Sequence, residues 1–140
     1  EQKKQNPNSY PETRAFADAI EVPLVQNRQG HYLVGGKINS EKVTFLLDTG
    51  ATDVVVPEST ARDLGLGFGR KGVAVTANGR VVIHETSIDR LEIGEITLVD
   101  VKASINPGMP SGAILLGMSA LSKIEFTQTG KTLTLRQKYI

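Results

Sequence analysis

The chain has 140 residues, of which 39% are hydrophobic and 22% charged, so it is long enough for one domain with a single core and too short for two lobes. Its 16 basic and 15 acidic residues give a net charge of +1, which provides no electrostatic footprint for nucleic acid or an anionic membrane. The absence of cysteine excludes disulfides and thiolate metal sites, and the lack of any run of about 18 apolar residues predicts no direct membrane insertion by this sequence.

The chain begins with a polar segment in which Pro7 and Pro11 prevent a regular element. We therefore predict an N-terminal linker or extension over residues 1–21 and a folded domain over residues 22–140. An edge strand is predicted at 22–25. The runs 31–38 and 43–47 are predicted to form a hairpin, and apolar residues on both faces of its second arm indicate an interior strand.

This interior strand ends in a carboxylate. The apolar run leads directly into Asp48, and Thr49 and Gly50 follow, so the chain must turn sharply at the acid. A carboxylate at the end of a buried strand needs hydrogen bonds from backbone N–H groups, or a neighbour that shares its proton. These residues are candidates for a functional site, and the alternative is an Asx-type turn without catalysis.

A strand at 54–56 and a short helix at 57–64 are predicted next, because Pro and Glu begin the helical run and Gly65 follows its end. The Gly-x-Gly-x-x-Gly sequence at 67–72 has the spacing of a dinucleotide fingerprint. That fingerprint must follow a strand and open a helix, whereas this one follows a helix and opens a strand. We therefore interpret it as a flexible connection.

Two β-branched runs at 73–77 and 80–83 flank Asn78-Gly79, a pair that favours a type I′ hairpin turn. Strand signals outnumber helix signals throughout, and short runs at intervals of about ten residues are typical of an all-β fold. The remaining predicted segments are strands at 86–93 and 96–105, a loop at 106–112, an apolar run at 114–117, a turn or short helix at 118–121, and a closing hairpin of 124–126 and 132–135.

Asp48-Thr49-Gly50-Ala51 resembles the active-site signature of aspartic proteases, in the form with Ala after the Gly that is typical of retroviral enzymes. Ile114-Leu115-Leu116-Gly117, which begins 66 residues after Asp48, is similar to the second half of that family's pattern. The resemblance covers residues 22–137. The proteins that the chain resembles are single-lobe, retropepsin-like proteases of the bacterial kind. It implies an all-β acid-protease barrel with one short helix and a flap hairpin, acting as a two-fold homodimer.

Peptide hydrolysis by direct attack of water needs one group that takes a proton from the water and another that protonates the carbonyl oxygen. Two carboxylates that share one proton can do both. No aspartate other than Asp48 is followed by Thr-Gly or Ser-Gly, so the second acid is expected to be Asp48 of another copy. The expected partners are therefore a second copy and a peptide or protein substrate, with no nucleic acid, no cofactor and no metal.

The resemblance implies three groups of site residues, identified by their positions in the two motifs and the hairpin. The flap backbone would hold an extended peptide as an added strand. The catalytic group is Asp48, Thr49 and Gly50. The substrate-binding group is Ala51, Asp53, Ala77, Asn78 and Gly79. The group that passes under the catalytic loop and supports it is Ile114, Leu115, Leu116 and Gly117.

The chain departs from the retroviral pattern at the positions that brace the dimer and touch substrate. Retroviral enzymes commonly place two acids after the first motif, and Arg and Asn after the second. Here the corresponding residues are Thr52, Asp53, Met118 and Ser119. The first acid and the Arg are both absent, which is consistent with loss of an ion pair, because either alone would be an unpaired charge. The dimer is expected to be held differently, and Asp53 either lines the groove or is a solvated loop residue.

Other chemistries are disfavoured. Gly117-Met118-Ser119 begins like a nucleophile elbow but lacks the closing glycine, and only His31 and His84 could serve as its base. Two widely separated histidines without cysteine do not indicate a metal site. Both histidines are interpreted as surface or strand-end residues.

The expected function is that of an aspartic endopeptidase, which hydrolyses peptide bonds of extended polypeptides with water activated between two Asp48 carboxylates. The alternative is a catalytically weak or inactive retropepsin-like module for dimerisation or peptide binding, suggested by Thr52 and Met118. The resemblance to bacterial members suggests a periplasmic location, or a membrane anchor with the domain facing the periplasm, with the cytoplasm as the alternative. The sequence is then expected to begin just after a removed signal or anchor.

Overall fold

A computed structural model describes residues 6–76 and 79–139 of the chain. The elements in these ranges are mostly strands, as expected for an all-β fold. In chain order they are β1 (Arg14–Ala15), β2 (Ala19–Val25), β3 (Leu33–Ile38), β4 (Glu41–Leu47), β5 (Val54–Pro57), α1 (Glu58–Asp63), β6 (Lys71–Thr76), β7 (Gly79–Ile93), β8 (Ile96–Asn106), β9 (Ile114–Leu116), α2 (Met118–Leu121), β10 (Glu125–Thr129) and β11 (Thr132–Lys138).

The strands form two sheets. The larger has the order β3-β4-β9-β5-β8-β7-β6, and β3 also pairs with β7 through Lys37 and Ile38, which closes the sheet into a barrel. The smaller sheet has the order β1-β2-β11-β10. Interior residues of both sheets contribute to one core, in which Leu24, Ile38, Phe45, Ile105 and Leu135 are among the fully buried side chains. The prediction of an all-β barrel is confirmed.

Several strands differ in length from the prediction, and β7 differs most. The runs 80–83 and 86–93 were predicted as separate strands, whereas β7 is a single strand of 15 residues. It stays continuous because it changes partners along its length, pairing with β6 from Gly79 to His84 and with β8 from His84 to Ile93. Likewise, β2 begins at Ala19, three residues before the predicted strand, because its first residues pair with β1 and β11.

The described part of the predicted N-terminal extension packs on the barrel. Asn8 is only 5% exposed, and its side-chain amide donates hydrogen bonds to the carbonyl oxygens of Val25 and Leu33, both at 2.9 Å. Its Oδ1 accepts a hydrogen bond from the Val25 N–H at 2.8 Å, and its own carbonyl accepts one from Gly35. Asn8 therefore satisfies backbone groups at the end of β2 and the start of β3, which no periodicity of the sequence predicts.

Asn8→Ala is expected to lower the free energy of unfolding by about 2–3 kcal/mol, because it leaves three part-buried backbone groups of Val25 and Leu33 without this partner. Urea denaturation followed by circular dichroism measures this change. Asn27→Ala is the matched control, since the side-chain oxygen of Asn27 accepts hydrogen bonds from the exposed backbone N–H groups of Gln29 and His31. A loss no greater than that of Asn27→Ala would contradict the role assigned to Asn8.

Arg136 ties three parts of the smaller sheet together. Its guanidinium contacts Glu21 on β2 at 2.8 Å, Asp18 at 2.9 Å and Glu125 on β10 at 3.4 Å. The hydrogen bond to Glu21, supported by the charge of Asp18, raises the pKa of Arg136 above its ordinary value. The ion pair with Glu125 adds a side-chain contact between β11 and the outermost strand, β10, which already pair along the full length of β10.

Candidate active site

Asp48 lies where three strands of the barrel meet. β9 runs between β4 and β5, parallel to β4 with Leu47 opposite Leu116, and pairs with β5 through Val55 and Leu115. The Asp48 N–H extends the first of these ladders by donating to the carbonyl oxygen of Leu116 at 3.2 Å. The strand before the acid and the strand after it are therefore both joined to the same short strand, although the two motifs are far apart in sequence.

A tight turn follows the carboxylate. The Gly50 N–H donates to Oδ1 of Asp48 at 2.9 Å, and the Ala51 N–H donates to the Asp48 carbonyl oxygen at 3.1 Å. Asp48 is half-buried, while Thr49 and Gly50 are exposed. The first bond is the one an Asx-type turn makes, and it also holds a catalytic carboxylate in a fixed orientation. The geometry of one protomer is thus compatible with both interpretations of this turn.

The segment after β9 packs directly under this turn. The Met118 N–H donates to the carbonyl oxygen of Ala51 and the Ser119 N–H to that of Thr52, both at 2.8 Å. Gly117 is buried, and a Cβ added to it would overlap the Asp53 carbonyl oxygen and lie 2.7 Å from that of Ala51. The second motif ends in glycine because no larger residue fits against the turn at Asp48.

Ser119 has a role that the sequence did not reveal. Its hydroxyl donates to the carbonyl oxygen of Lys102 on β8 at 2.7 Å and accepts a hydrogen bond from the Val54 N–H on β5 at 3.0 Å. One side chain therefore connects α2 to β5 and β8, near the turn at Asp48. The sequence identified Ser119 only as a departure from the retroviral Asn and as an unsupported nucleophile, and neither histidine is its hydrogen-bond partner among the described residues.

Ser119→Ala is expected to lower the unfolding free energy by about 1–2 kcal/mol, because the Val54 N–H and the Lys102 carbonyl lose their shared partner. Thermal denaturation of the purified variant measures this loss. Ser122→Ala, at an exposed position just after α2, should change stability by less than about 0.5 kcal/mol. Equal effects of the two substitutions would contradict the bridging role.

The remaining predicted site residues are divided between this turn and the hairpin of β6 and β7. Asp53 is half-buried beside Gly117. Gly79 opens β7 with a φ of +103°, and its carbonyl oxygen accepts a hydrogen bond from the Thr76 hydroxyl at 2.9 Å. Ala77 and Asn78, also predicted to contact substrate, lie outside the described residues. A Cβ added to Gly108 would be 3.6 Å from Val81, so the 106–112 loop lies against this hairpin.

One prediction about the histidines is wrong. His31 is exposed, as expected, but His84 is a half-buried residue inside β7, neither at a strand end nor on the open surface. Its ring packs edge-on against Phe68 with centroids 5.3 Å apart, because the 65–70 loop pairs with β7 through Gly69 and Glu85. Within residues 6–76 and 79–139, no cluster of three or more His, Asp or Glu side chains could hold a metal ion.

A cavity of about 530 Å³ lies away from Asp48. It is bounded by the N-terminal segment at Ser9 and Tyr10 and by the β3–β4 hairpin at Gly35, Lys42 and Thr44. Its lining includes Glu92 near the far end of β7, but no residue of the turn at Asp48 and none of the residues 71–84 that pair in the β6–β7 hairpin. The described helices are also too short to cross a lipid bilayer.

The chain belongs to the family described as gag-polyprotein putative aspartyl proteases, whose family model matches residues 34–123. That range includes the turn at Asp48, the β6–β7 hairpin and the segment under the turn. An uncharacterized protein in the cobV 5′ region of a Sinorhizobium species is 30% identical over 111 residues, which are 77% of this chain and 48% of that protein. An uncharacterized protein of Rickettsia prowazekii (strain Madrid E) is 26% identical over 116 residues. The chain spans about half the length of these relatives.

Solved structures share this fold. The crystal structure of a retropepsin-like aspartic protease from Rickettsia conorii superposes with a TM-score of 0.71 at 24% identity, covering 91% of this chain and 94% of that one. The EIAV protease in complex with the inhibitor HBY-793 gives a TM-score of 0.57 at 20% identity, over 71% of this chain and 92% of that one. The protein is therefore retropepsin-like and has bacterial relatives, as the sequence predicted.

Proposed function

We propose that the protein is a homodimeric aspartic endopeptidase that cleaves extended polypeptides. The observation that carries this proposal is the half-buried Asp48, held by the Gly50 N–H at the end of β4 in a chain of an aspartyl protease family. Each chain has one such acid, so the complete site needs two copies. The segment from Ile114 to Gly117 fixes the position of the acid in each copy.

The chemistry follows from the pairing of the two acids. At about 4 Å and an effective dielectric constant of about 20, two carboxylate charges repel by about 4 kcal/mol, so the pair retains one proton over a wide pH range. The ionised carboxylate takes a proton from water as the water oxygen attacks the carbonyl carbon. The protonated carboxylate gives its proton to the carbonyl oxygen, which produces a tetrahedral diol. Proton transfer to the amide nitrogen and cleavage of the C–N bond then release two peptides.

The substrate would lie between the catalytic turn and the flap. Thr49 is exposed beside the acid, so its hydroxyl is available to the equivalent segment of a second copy across a two-fold axis. Ala51 and Asp53 would form the floor, and Ala77, Asn78 and Gly79 the roof. An extended peptide in this space would form backbone hydrogen bonds as an added strand.

The free edge of β10 is the surface best suited to join two copies. All five of its residues are exposed, and β11 is its one partner strand within the described sheet. Its sequence, Glu-Phe-Thr-Gln-Thr, contains none of the Lys or Pro residues that protect edge strands from pairing. In the chain, β10 comes shortly after α2, and the first residues of α2 contact the turn at Asp48. Antiparallel pairing of two β10 strands would replace the bracing that Thr52 and Met118 no longer provide.

Cleavage of an extended peptide should rise with the square of protein concentration below the dimer dissociation constant and linearly above it. Thr127→Lys, in the middle of β10, should shift this transition to concentrations at least about ten-fold higher, because an edge lysine opposes strand pairing. Sedimentation velocity at the same concentrations measures the dimer directly. Ser87→Lys, at an exposed position inside the larger sheet, is the control and should leave both curves unchanged. Strictly linear activity of a sedimenting monomer would contradict the proposal.

A second candidate function is a dimerisation or peptide-binding module with little turnover. The loss of the bracing residues at Thr52 and Met118 favours it. Binding of an extended peptide without cleavage between acidic and neutral pH would support this alternative. The retention of a half-buried Asp48 with its Thr49 and Gly50 opposes it, because a binding module gains little from burying a carboxylate.

A further inference from the structure

The β6–β7 hairpin has two faces of different chemistry. Its register pairs Lys71 with His84, Val73 with Val82 and Val75 with Arg80, so these six side chains lie on one face, here called the outer flap face. Val73 is 61% exposed, Val75 80% and Val82 52%. The three valines therefore form an exposed aliphatic cluster on one face, and clustered exposed apolar side chains are a feature of binding surfaces.

The outer flap face points away from the body of the protein. Val81 and Ile83 lie on the opposite face, are half-buried, and Val81 approaches the 106–112 loop. β7 pairs with β8 only from His84 onward, so the part of the hairpin before His84 projects beyond the sheet as a two-stranded ribbon. The valines and cations therefore stand on the projecting ribbon, beyond the contact of His84 with Phe68.

Charge is segregated onto this hairpin. The segment from Leu64 to His84 contains Arg70, Lys71 and Arg80 and no Asp or Glu, which leaves 13 basic and 15 acidic residues in the rest of the chain. The next acid, Glu85, follows His84 in the strand, and its side chain therefore points to the opposite face. The net charge of +1 conceals this local excess, which is why composition alone gave no indication of an anionic partner.

We propose that the outer flap face docks on the surface of an anionic lipid bilayer. A lipid surface requires exposed apolar area and positive charge but no fixed pattern of hydrogen bonds, and this face offers three valines flanked by Lys71 and Arg80. A protein partner is disfavoured, because protein interfaces are centred on aromatic anchors, and the aromatic side chain beside this face, Phe68, is engaged edge-on with His84 at the base of the hairpin. Docking does not depend on proteolysis, so Asp48→Asn should bind bilayers as the unmodified protein does.

Co-sedimentation with vesicles tests the proposal. The protein should bind vesicles of phosphatidylcholine mixed with phosphatidylglycerol, should not bind phosphatidylcholine alone, and should be released by salt. Each of Lys71→Gln and Arg80→Gln should weaken binding about five-fold, since one cation near an anionic bilayer contributes that factor. Val75→Asp should abolish binding. Val99→Asp is the matched control, because Val99 is a 57% exposed valine on β8, outside the hairpin, and its replacement should have no effect.

Circular dichroism of each variant establishes that the fold is intact before its binding is compared. The proposal is overturned by equal binding to neutral and anionic vesicles, by no binding to either, or by equal effects of Val75→Asp and Val99→Asp. It is also overturned if the protein binds polyglutamate but not anionic vesicles, because the face would then recognise an acidic polypeptide. Loss of proteolysis without loss of vesicle binding would concern only the proposed catalytic function.

Discussion

Asp48→Asn is expected to abolish peptide cleavage, with a loss of at least about four orders of magnitude in kcat/KM. The amide cannot take a proton from water, and a dimer of this variant has no ionisable group in the pair. The fold should remain intact, because the side-chain oxygen of Asn can still accept the hydrogen bond from the Gly50 N–H that Asp48 accepts at 2.9 Å. Cleavage of an extended peptide, with circular dichroism of the same sample, measures both parts of this prediction.

Mixing the Asp48→Asn variant with the unmodified protein tests directly whether both acids are required. If both acids are required, adding an equal amount of Asp48→Asn protein to the unmodified protein should reduce its activity by about half, because exchange of subunits converts active dimers into inactive mixed ones. The Thr127→Lys form of the inactive variant, which is expected to pair poorly, should reduce activity much less. Unchanged activity in the first mixture would show that one chain is sufficient, and would exclude the shared site.

Gly117→Ala is expected to cost about 3 kcal/mol or more of unfolding free energy, which is at the upper end for overpacking of a core. The backbone at Gly117 is extended, with φ of −89° and ψ of −172°, so alanine meets no conformational penalty there. The cost arises because the new methyl group would overlap the carbonyl of Asp53 and press on that of Ala51. Relief of this overlap must move the turn that carries Asp48, so any folded fraction should also lose activity.

Denaturation with urea and peptide cleavage measure the two consequences separately. Gly67→Ala is the matched control, since nothing lies within 4 Å of a Cβ at that position in the loop before β6. That substitution should change stability by less than about 1 kcal/mol, in either direction. A folded Gly117→Ala protein with normal stability and activity would contradict the close packing described for the second motif.

Local signals in the sequence predicted much of the fold. The hairpins of β3 with β4 and of β10 with β11 follow from short apolar runs around turn residues, and α1 follows from Pro57 and Gly65 at its ends. The turn at Asp48 follows from a carboxylate placed between an apolar strand and a glycine. These features depend on neighbours in the chain, so their residues are sufficient to indicate them.

Features that depend on distant neighbours were missed. The parallel pairing of β4 with β9 joins residues 69 positions apart, Phe45 and Ile114, and only the family resemblance indicated that these segments meet. The hydroxyl of Ser119 and the amide of Asn8 satisfy backbone groups of strands far away in sequence, and a lone polar residue carries no signal of such a partner. The continuity of β7 depends on its change of partners, which periodicity does not reveal.

The position of β9 has a consequence for the motions that catalysis requires. β9 is held on both sides, so the floor of the cleft cannot shift without separating the central ladders of the barrel. The projecting ribbon of β6 and β7 has no comparable restraint. In the proposed endopeptidase, entry of a polypeptide chain and departure of its fragments would therefore come from displacement of the roof, while Asp48 stays in place.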